Sequence, residues 1–244
     1  MLEIRKPSIS SLQDSRSAYD VIYAEKGIRQ SDSFYAWLLG LVRPEKGGRL
    51  LDVSCGEGHL LRIGAKYGLA LYGVDISDTA ISMARQNIPL AELAISDAED
   101  LPFPEDCLDY VTSIGSLEHY LHPDKGVQEM ARVLKRAGKA CVLLPNSFGL
   151  TWNILSVWRT GDISDDGQPI QRYATRREWQ EFLEVNGLSV YKTLKYEREF
   201  PRTIGDVWWY IKHPKKLLHL ALSPLIPLNL ASCFVFLCRK TATR

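Results

Sequence analysis

The chain has 244 residues, 45% apolar and 24% charged, which suits one large domain with its own hydrophobic core and excludes a disordered or fibrous class. The opening MLEIRKPSISSLQDS has no apolar run of secretory-signal length, and the five cysteines form no C-x-x-C pair, so a cytoplasmic protein with reduced cysteines and no bound metal is expected. The formal charge is only +1, but from residue 201 onward seven basic residues, Arg244 among them, face Asp206 alone; an acidic body with a proline-broken, apolar basic tail argues against nucleic acid as a partner.

Residues 1–44 carry Tyr19, Tyr23, Phe34 and Trp37 and read as an N-terminal helical lid, with packing on a sheet edge as the alternative. Leu50, Leu51 and Val53 form a short buried strand. Gly56 and Gly58 then remove side chains where a ligand would meet the main chain. LLRIGAKYG follows, with Leu60, Ile63 and Tyr67 at helical spacing and Gly68 as a C-terminal cap. A strand, a glycine turn and a helix make a general site for the polar groups of a ligand, although such a turn is equally common without one.

LALYGVD (69–75) is a second strand ending in an acid, and Ser77 starts a helix with Ile81, Ala84 and Ile88 on one side. LAELAIS ends a third strand near Asp97, and LDYVTSIG (108–115) is a fourth. The helix DKGVQEMARVLKRAG places Val127, Met130, Ala131 and Leu134 on a core face, with Gly138 just past its end, before a fifth strand, KACVLLP. A capping box, Thr175 with Glu178, starts a helix through Trp179, Phe182 and Leu183 to Gly187. LSVYKTLKYE and the wholly apolar run 233–238 are the last two strands. Alternation of this kind predicts an α/β fold, doubly wound about a parallel sheet, with ligands at the carboxyl ends of the strands.

Three successive strand ends carry acids: Asp52, Asp75 and Asp97. Asp75 stands about 20 residues after the glycine turn, where a carboxylate accepts hydrogen bonds from ribose hydroxyls. That fits NAD and S-adenosylmethionine alike, and the turn separates the two. A dinucleotide turn wants G-x-G-x-x-G, but Leu61 occupies the third glycine position, and Asp52 at the head of the turn would repel a pyrophosphate.

LLDVSCGEGHLL, YGVDIS, SDAEDLPFPEDCLDYVTSIGSLEHY and PDKGVQEMARVLKRAGKACVLLPN together resemble class I S-adenosylmethionine-dependent methyltransferases of the ubiquinone/menaquinone-biosynthesis-like (type 11) family. The likeness covers residues 45–146 and weakens toward 197. It implies a seven-stranded, mostly parallel Rossmann-like sheet with the last strand antiparallel, in a single domain 1–244 whose cofactor core is 45–146. It also implies that Asp52, Gly56 and Gly58 hold the methionine portion of S-adenosylmethionine, with Ser54 and Cys55 in the same turn. Asp75 and Ile76 would take the ribose, Asp97, Ala98 and Glu99 the adenine edge, and Ile114 and Gly115 the neighbourhood of the sulfonium. Ser54 departs from a position where the family often has glycine, a change expected to have little consequence.

Methyl transfer by in-line displacement needs orientation above all, so a base is useful but not obligatory. SLEHYLHP, after the fourth strand, offers Glu118, His119, Tyr120 and His122; His119, with Glu118 beside it, is the chosen catalytic candidate, against an alternative in which His119 only packs the loop. Segments 147–174 and 198–230 are read as acceptor-side insertions. In the second, Trp208, Trp209 and Tyr210 precede Lys212, Lys215 and Lys216, and an uncharged stretch follows that Pro224 and Pro227 break. Contact of 205–228 with a membrane surface is expected, at the inner face of the membrane, or else packing on the protein or on a second subunit of a homodimer. The expected acceptor is small or lipid-linked; the alternatives are a soluble sugar or natural product, or a non-catalytic subunit that only binds the cofactor.

Overall fold

The computed structural model describes residues 1–242; Arg244, counted above in the basic tail, lies outside them. In chain order the elements are β1 (Leu2–Arg5), α1 (Leu12–Glu25), α2 (Asp32–Val42), β2 (Arg49–Val53), α3 (His59–Ala65), β3 (Ala70–Asp75), α4 (Asp78–Asn87), β4 (Glu92–Ile95) and β5 (Leu108–Ile114). They continue with α5 (Pro123–Val133), β6 (Leu134–Pro145), α6 (Leu155–Thr160), β7 (Ile170–Tyr173), α7 (Arg176–Val185), β8 (Leu188–Tyr196), α8 (Ile204–Lys212), α9 (Pro214–Leu222) and β9 (Cys233–Lys240). Seven strands form the main sheet in the order β4-β3-β2-β5-β6-β9-β8, parallel except for β9, which runs antiparallel to both neighbours. The expected architecture is the observed one, and the run 233–238 is a strand buried on both faces.

Alternation along the strands divides the core between the two faces of the sheet. Phe234 and Phe236 of β9 join Leu51, Val53 and Trp179 on one face. Val235 and Leu237 join Leu50 and the α2 residues Leu38 and Leu39 on the other. The Thr175–Glu178 capping box starts α7 as its sequence requires, and the indole N–H of fully buried Trp179 donates to the Pro145 carbonyl at 2.8 Å.

Three local expectations fail. Helix α5 stops at Val133 instead of continuing to Gly138, because Asp106 and Cys107 N–H groups, leading into β5, donate to the Arg132 and Val133 carbonyls. Leu134 therefore opens β6 instead of closing a helical face, and Gly138 sits inside that strand. Helix α3 ends at Ala65, which leaves Tyr67 outside it and exposed. The N-terminal segment is not helical throughout: β1 pairs antiparallel with β7, from within the 147–174 insertion, as a separate two-stranded sheet.

Candidate functional site

Parallel strands β2, β3, β4 and β5 deliver Asp52, Asp75, Asp97 and Ile114 to one end of the sheet, and a cavity of about 960 Å³, its open mouth included, lies over them. Asp52 stands opposite Thr112 across the β2–β5 pair, and the Thr112 hydroxyl donates to its Oδ1 at 2.6 Å. Burial pushes the Asp52 carboxyl up to about 7. Asp75 is anchored at both oxygens, accepting the Gly56 N–H on Oδ2 at 2.9 Å and the Ser77 N–H on Oδ1 at 3.0 Å; burial nonetheless raises it to about 6. Among the described residues neither carboxylate has a cationic partner. Two buried acids without a counter-ion are costly in the charged form, and a cationic ligand removes that cost.

After Val53 the chain turns sharply, with Ser54, Gly56 and Gly58 all at positive φ. A Cβ on Gly56 would lie 2.7 Å from the Tyr23 hydroxyl, so this glycine is the floor of a cradle closed from above by α1. Gly58 serves a different purpose from the one expected. It does not line the cavity; a Cβ there would lie 2.9 Å from Ile88 and 3.4 Å from Ala84, so it admits the close approach of α4. Ser54 holds φ +59°, a left-handed value that strains any residue with a Cβ, and its hydroxyl hydrogen-bonds the Tyr120 hydroxyl at 2.9 Å. The departure from glycine thus has a structural consequence, a tie between the turn and the loop after β5.

Ser54, Cys55, Gly56, Ile76, Ala98 and Glu99 line the same cavity as the three aspartates, and so do Ile114, Gly115 and His119. The Asp97 carboxylate accepts the Glu99 N–H at 2.9 Å, and Glu99 in turn accepts the His122 N–H at 2.7 Å, which fixes the turn after β4 against the start of α5. His119 is buried, with Nδ1 donating to the Ile170 carbonyl of β7 and Nε2 3.8 Å from Glu118 Oε1. Burial lowers the imidazole and raises Glu118 to about 8, so both are neutral at pH 7 and Nε2 is an acceptor. Glu118 does not line the cavity, and among the described residues its Oε2 has no hydrogen-bond partner. His122 is exposed and outside the cavity.

The lid aromatics divide. Tyr19 and Tyr23 of α1 line the cavity, and α1 is latched to the loop after β3: Ser77 Oγ donates to Asp20 at 2.6 Å and Arg16 donates to the Ile76 carbonyl at 2.8 Å. Phe34 and Trp37 do not reach the cavity, because α2 turns that face to the sheet; Phe34 is in the core and Trp37 stacks on Tyr196 with centroids 5.5 Å apart. Tyr35 and His59 do line it, and sequence reading passed over both. Tyr35 was legible as the residue off the 34-38-42 face of α2, but nothing in the sequence marked His59 as more than the first residue of a helix.

The residues present fit S-adenosylmethionine. The cation-free carboxylates Asp52 and Asp75 suit a ligand with positive charges and ribose hydroxyls, and the Gly56 floor accepts a moiety that a side chain would exclude.

Residues 51–142 match the family described as a methyltransferase domain. The 2-methyl-6-phytyl-1,4-hydroquinone methyltransferase of Arabidopsis thaliana chloroplasts is 38% identical over 45% of this chain and 34% of that one. The ubiquinone/menaquinone biosynthesis C-methyltransferase UbiE of Bordetella avium is 34% identical over 44% of this chain and 45% of that protein. The chain thus spans less than half the length of these two relatives. A phosphatidylethanolamine N-methyltransferase of Cereibacter sphaeroides is 23% identical over 70% of this chain and 82% of its own. Among solved structures, a Haemonchus contortus phosphoethanolamine-type N-methyltransferase 2 in complex with phosphomonomethylethanolamine and S-adenosylhomocysteine superimposes with a TM-score of 0.65 at 18% identity, covering 97% of this chain and 62% of that one, a likeness of fold. Residues 51–142 thus carry a methyltransferase domain, similar to those of ubiquinone/menaquinone-biosynthesis and phytyl-hydroquinone methyltransferases, on a class I methyltransferase fold.

Proposed function

We propose that the protein transfers a methyl group from S-adenosylmethionine to a lipid-linked acceptor, a ring or polar headgroup carrying a long apolar chain. The observation that carries the proposal is the meeting, in one cavity, of the glycine turn with two buried carboxylates that have no cation of their own. The cofactor supplies an electrophilic methyl on a sulfonium. Asp75, held by Gly56 and Ser77, orients the ribose side of the site; Asp52 faces the methionine side, and the Asp97–Glu99 turn bounds the adenine side. Tyr19 and Tyr23 close α1 over the cavity and exclude water. Orientation of this kind lowers a bimolecular barrier by about 7–11 kcal/mol. His119 Nε2, unprotonated because Nδ1 donates to Ile170, takes the proton of an acceptor hydroxyl or amine.

The lipid-linked class is supported by the relatives, whose names specify a phytyl hydroquinone, ubiquinone/menaquinone biosynthesis, and phosphatidylethanolamine. Five free, buried cysteines support work in a reducing compartment, and exposed aromatics beside lysines in 205–228 support contact with its bounding membrane. The test is incubation with methyl-labelled S-adenosylmethionine and, separately, a prenylated hydroquinone, phosphatidylethanolamine and soluble sugars. Label in the organic extract is the expected result. Label only in the aqueous phase would indicate a soluble acceptor, and cofactor binding without any transfer would indicate a binding subunit.

A further inference from the structure

The chain turns an unusual amount of apolar surface outward at one end of the sheet. On α8 the residues Ile204, Val207, Trp208 and Ile211 follow the i, i+3, i+4, i+7 spacing of a buried helix face, yet all four are exposed, Ile204 to 78%. Tyr210 is the buried residue of that helix. On α9 the exposed residues include Leu217, Leu218 and Leu222, followed by Leu225 at 77%. A second outward apolar element has no counterpart in the sequence expectations for 205–228: the π-helical turn Leu150–Ile154 and α6 expose Leu150, Trp152, Leu155, Val157 and Trp158, the last to 80%.

One buried carboxylate joins the two elements. Glu197 Oε2 accepts from Thr151 of the π-helical turn at 3.1 Å, from His219 Nε2 of α9 at 2.9 Å and from the Ser232 hydroxyl at 2.9 Å, while Oε1 accepts the Ser232 N–H at 2.6 Å. Residues 151 and 219 are therefore held against the same side chain, and their apolar neighbours flank it. Within 204–225 the exposed charges are of one sign, Lys212, Lys215 and Lys216, whereas Asp206 is partly buried and accepts from Ser33 and the backbone of Arg202 and Thr203; 148–158 carries no charge. Among the described residues no helix is long and apolar enough to cross a membrane. Short helices with outward apolar stripes, tryptophans and lysines fit the interface of an anionic bilayer.

We propose that the two elements, 148–158 and 204–225, form one bipartite face that seats the protein on an anionic lipid bilayer. Both follow the carboxyl ends of strands, β6 and β8, that run parallel to β5, so the face stands at the same end of the sheet as the cavity. Resting on the lipid-linked reading of that cavity, this placement lets an acceptor present its head to the site while its tail stays in the membrane. The contribution of 148–158 distinguishes the proposal from contact through 205–228 alone.

The test uses the full chain and two vesicle types, phosphatidylcholine alone and phosphatidylcholine mixed with phosphatidylglycerol. Sedimentation should show binding to the mixed vesicles that weakens with salt. Leu155→Ser with Trp158→Ser, and separately Val207→Ser with Trp208→Ser, should each lower partitioning by about tenfold or more. Leu90→Ser, at an isolated residue 84% exposed, should leave it unchanged. Circular dichroism and S-adenosylhomocysteine binding report whether each variant is folded with its pocket intact. Unchanged partitioning of the Leu155/Trp158 variant would overturn the bipartite face. So would absence of vesicle binding by the parent chain, or a solution dimer that the same substitutions dissociate. Methyl transfer is assayed independently on a detergent-dispersed acceptor, so a parent chain that transfers methyl to it but binds no vesicles refutes the face and not the activity.

Discussion

The Asp75 carboxylate accepts the Gly56 N–H at 2.9 Å, so the end of β3 holds the glycine turn that leaves β2. The two residues assigned to the ribose and methionine sides of the cofactor are thus one hydrogen-bonded unit, with Ser77 on the other carboxylate oxygen. Asp75→Ala should weaken S-adenosylmethionine binding by about 10- to 100-fold, since a hydrogen bond to a charged acceptor is worth about 1.5–3 kcal/mol. It should also lower the melting temperature of the ligand-free protein by leaving two N–H groups without their acceptor. Asp75→Asn, which keeps one carbonyl oxygen, should lose less of both; calorimetry and thermal melts make the comparison.

Asp52 gives a pH dependence with a definite sign. Its folded value of about 7 lies above its ordinary 3.8, so the folded state binds the extra proton across that window. The stabilisation is complete below about 4 and is lost as pH rises through 7. Melting of the ligand-free protein followed from pH 5 to pH 8 should show this loss, and Asp52→Asn should reduce it. Affinity for S-adenosylmethionine should move the opposite way, rising over the same interval as Asp52 and Asp75 ionise beside the cationic ligand.

Gly56 and Tyr23 should behave as a coupled pair. Gly56→Ala places a Cβ 2.7 Å from the Tyr23 hydroxyl on a backbone at φ +52°, which costs about 1–2 kcal/mol in backbone conformation alone and displaces α1 as well. Tyr23→Phe removes the nearest clashing atom. The double variant should therefore recover part of the stability and cofactor affinity lost in Gly56→Ala, and a double-mutant cycle measures the coupling. Strict additivity would show that α1 does not close on the turn.

His119 is expected to act through Nε2. His119→Ala should lower kcat by about 100-fold or more, the usual contribution of a general base, with little change in S-adenosylhomocysteine affinity. The acidic limb of the kcat profile should go with it. Because Nδ1 also ties the loop to β7, a melt accompanies the assay. A lower melting temperature with an unchanged acidic limb would assign His119 to packing alone.

Much of this architecture was legible because it rests on period and order. Alternation gave the strands, the capping pair Thr175–Glu178 gave α7, and three acids at successive strand ends gave the cavity floor. What escaped depends on contacts distant in sequence. In the sequence Gly58 is indistinguishable from Gly56, and only the packing of Ile88 and Ala84 on it separates the two. Helix α5 carried its period past Val133, and only the donors at Asp106 and Cys107 show why it stops. Glu197 closes the strand LSVYKTLKYE with no local sign of a partner, yet it is buried with four hydrogen bonds from three residues. Phe34 and Trp37 read with the lid, because aromatic composition does not show which way a helix faces.

The central claim is that the cavity over β2 to β5 is an S-adenosylmethionine site, and titration calorimetry of the full chain with S-adenosylmethionine and S-adenosylhomocysteine tests it most directly. One saturable site for each ligand, lost or greatly weakened in Asp75→Ala while the variant stays folded, is the expected result. A folded parent protein that binds neither ligand would contradict the account.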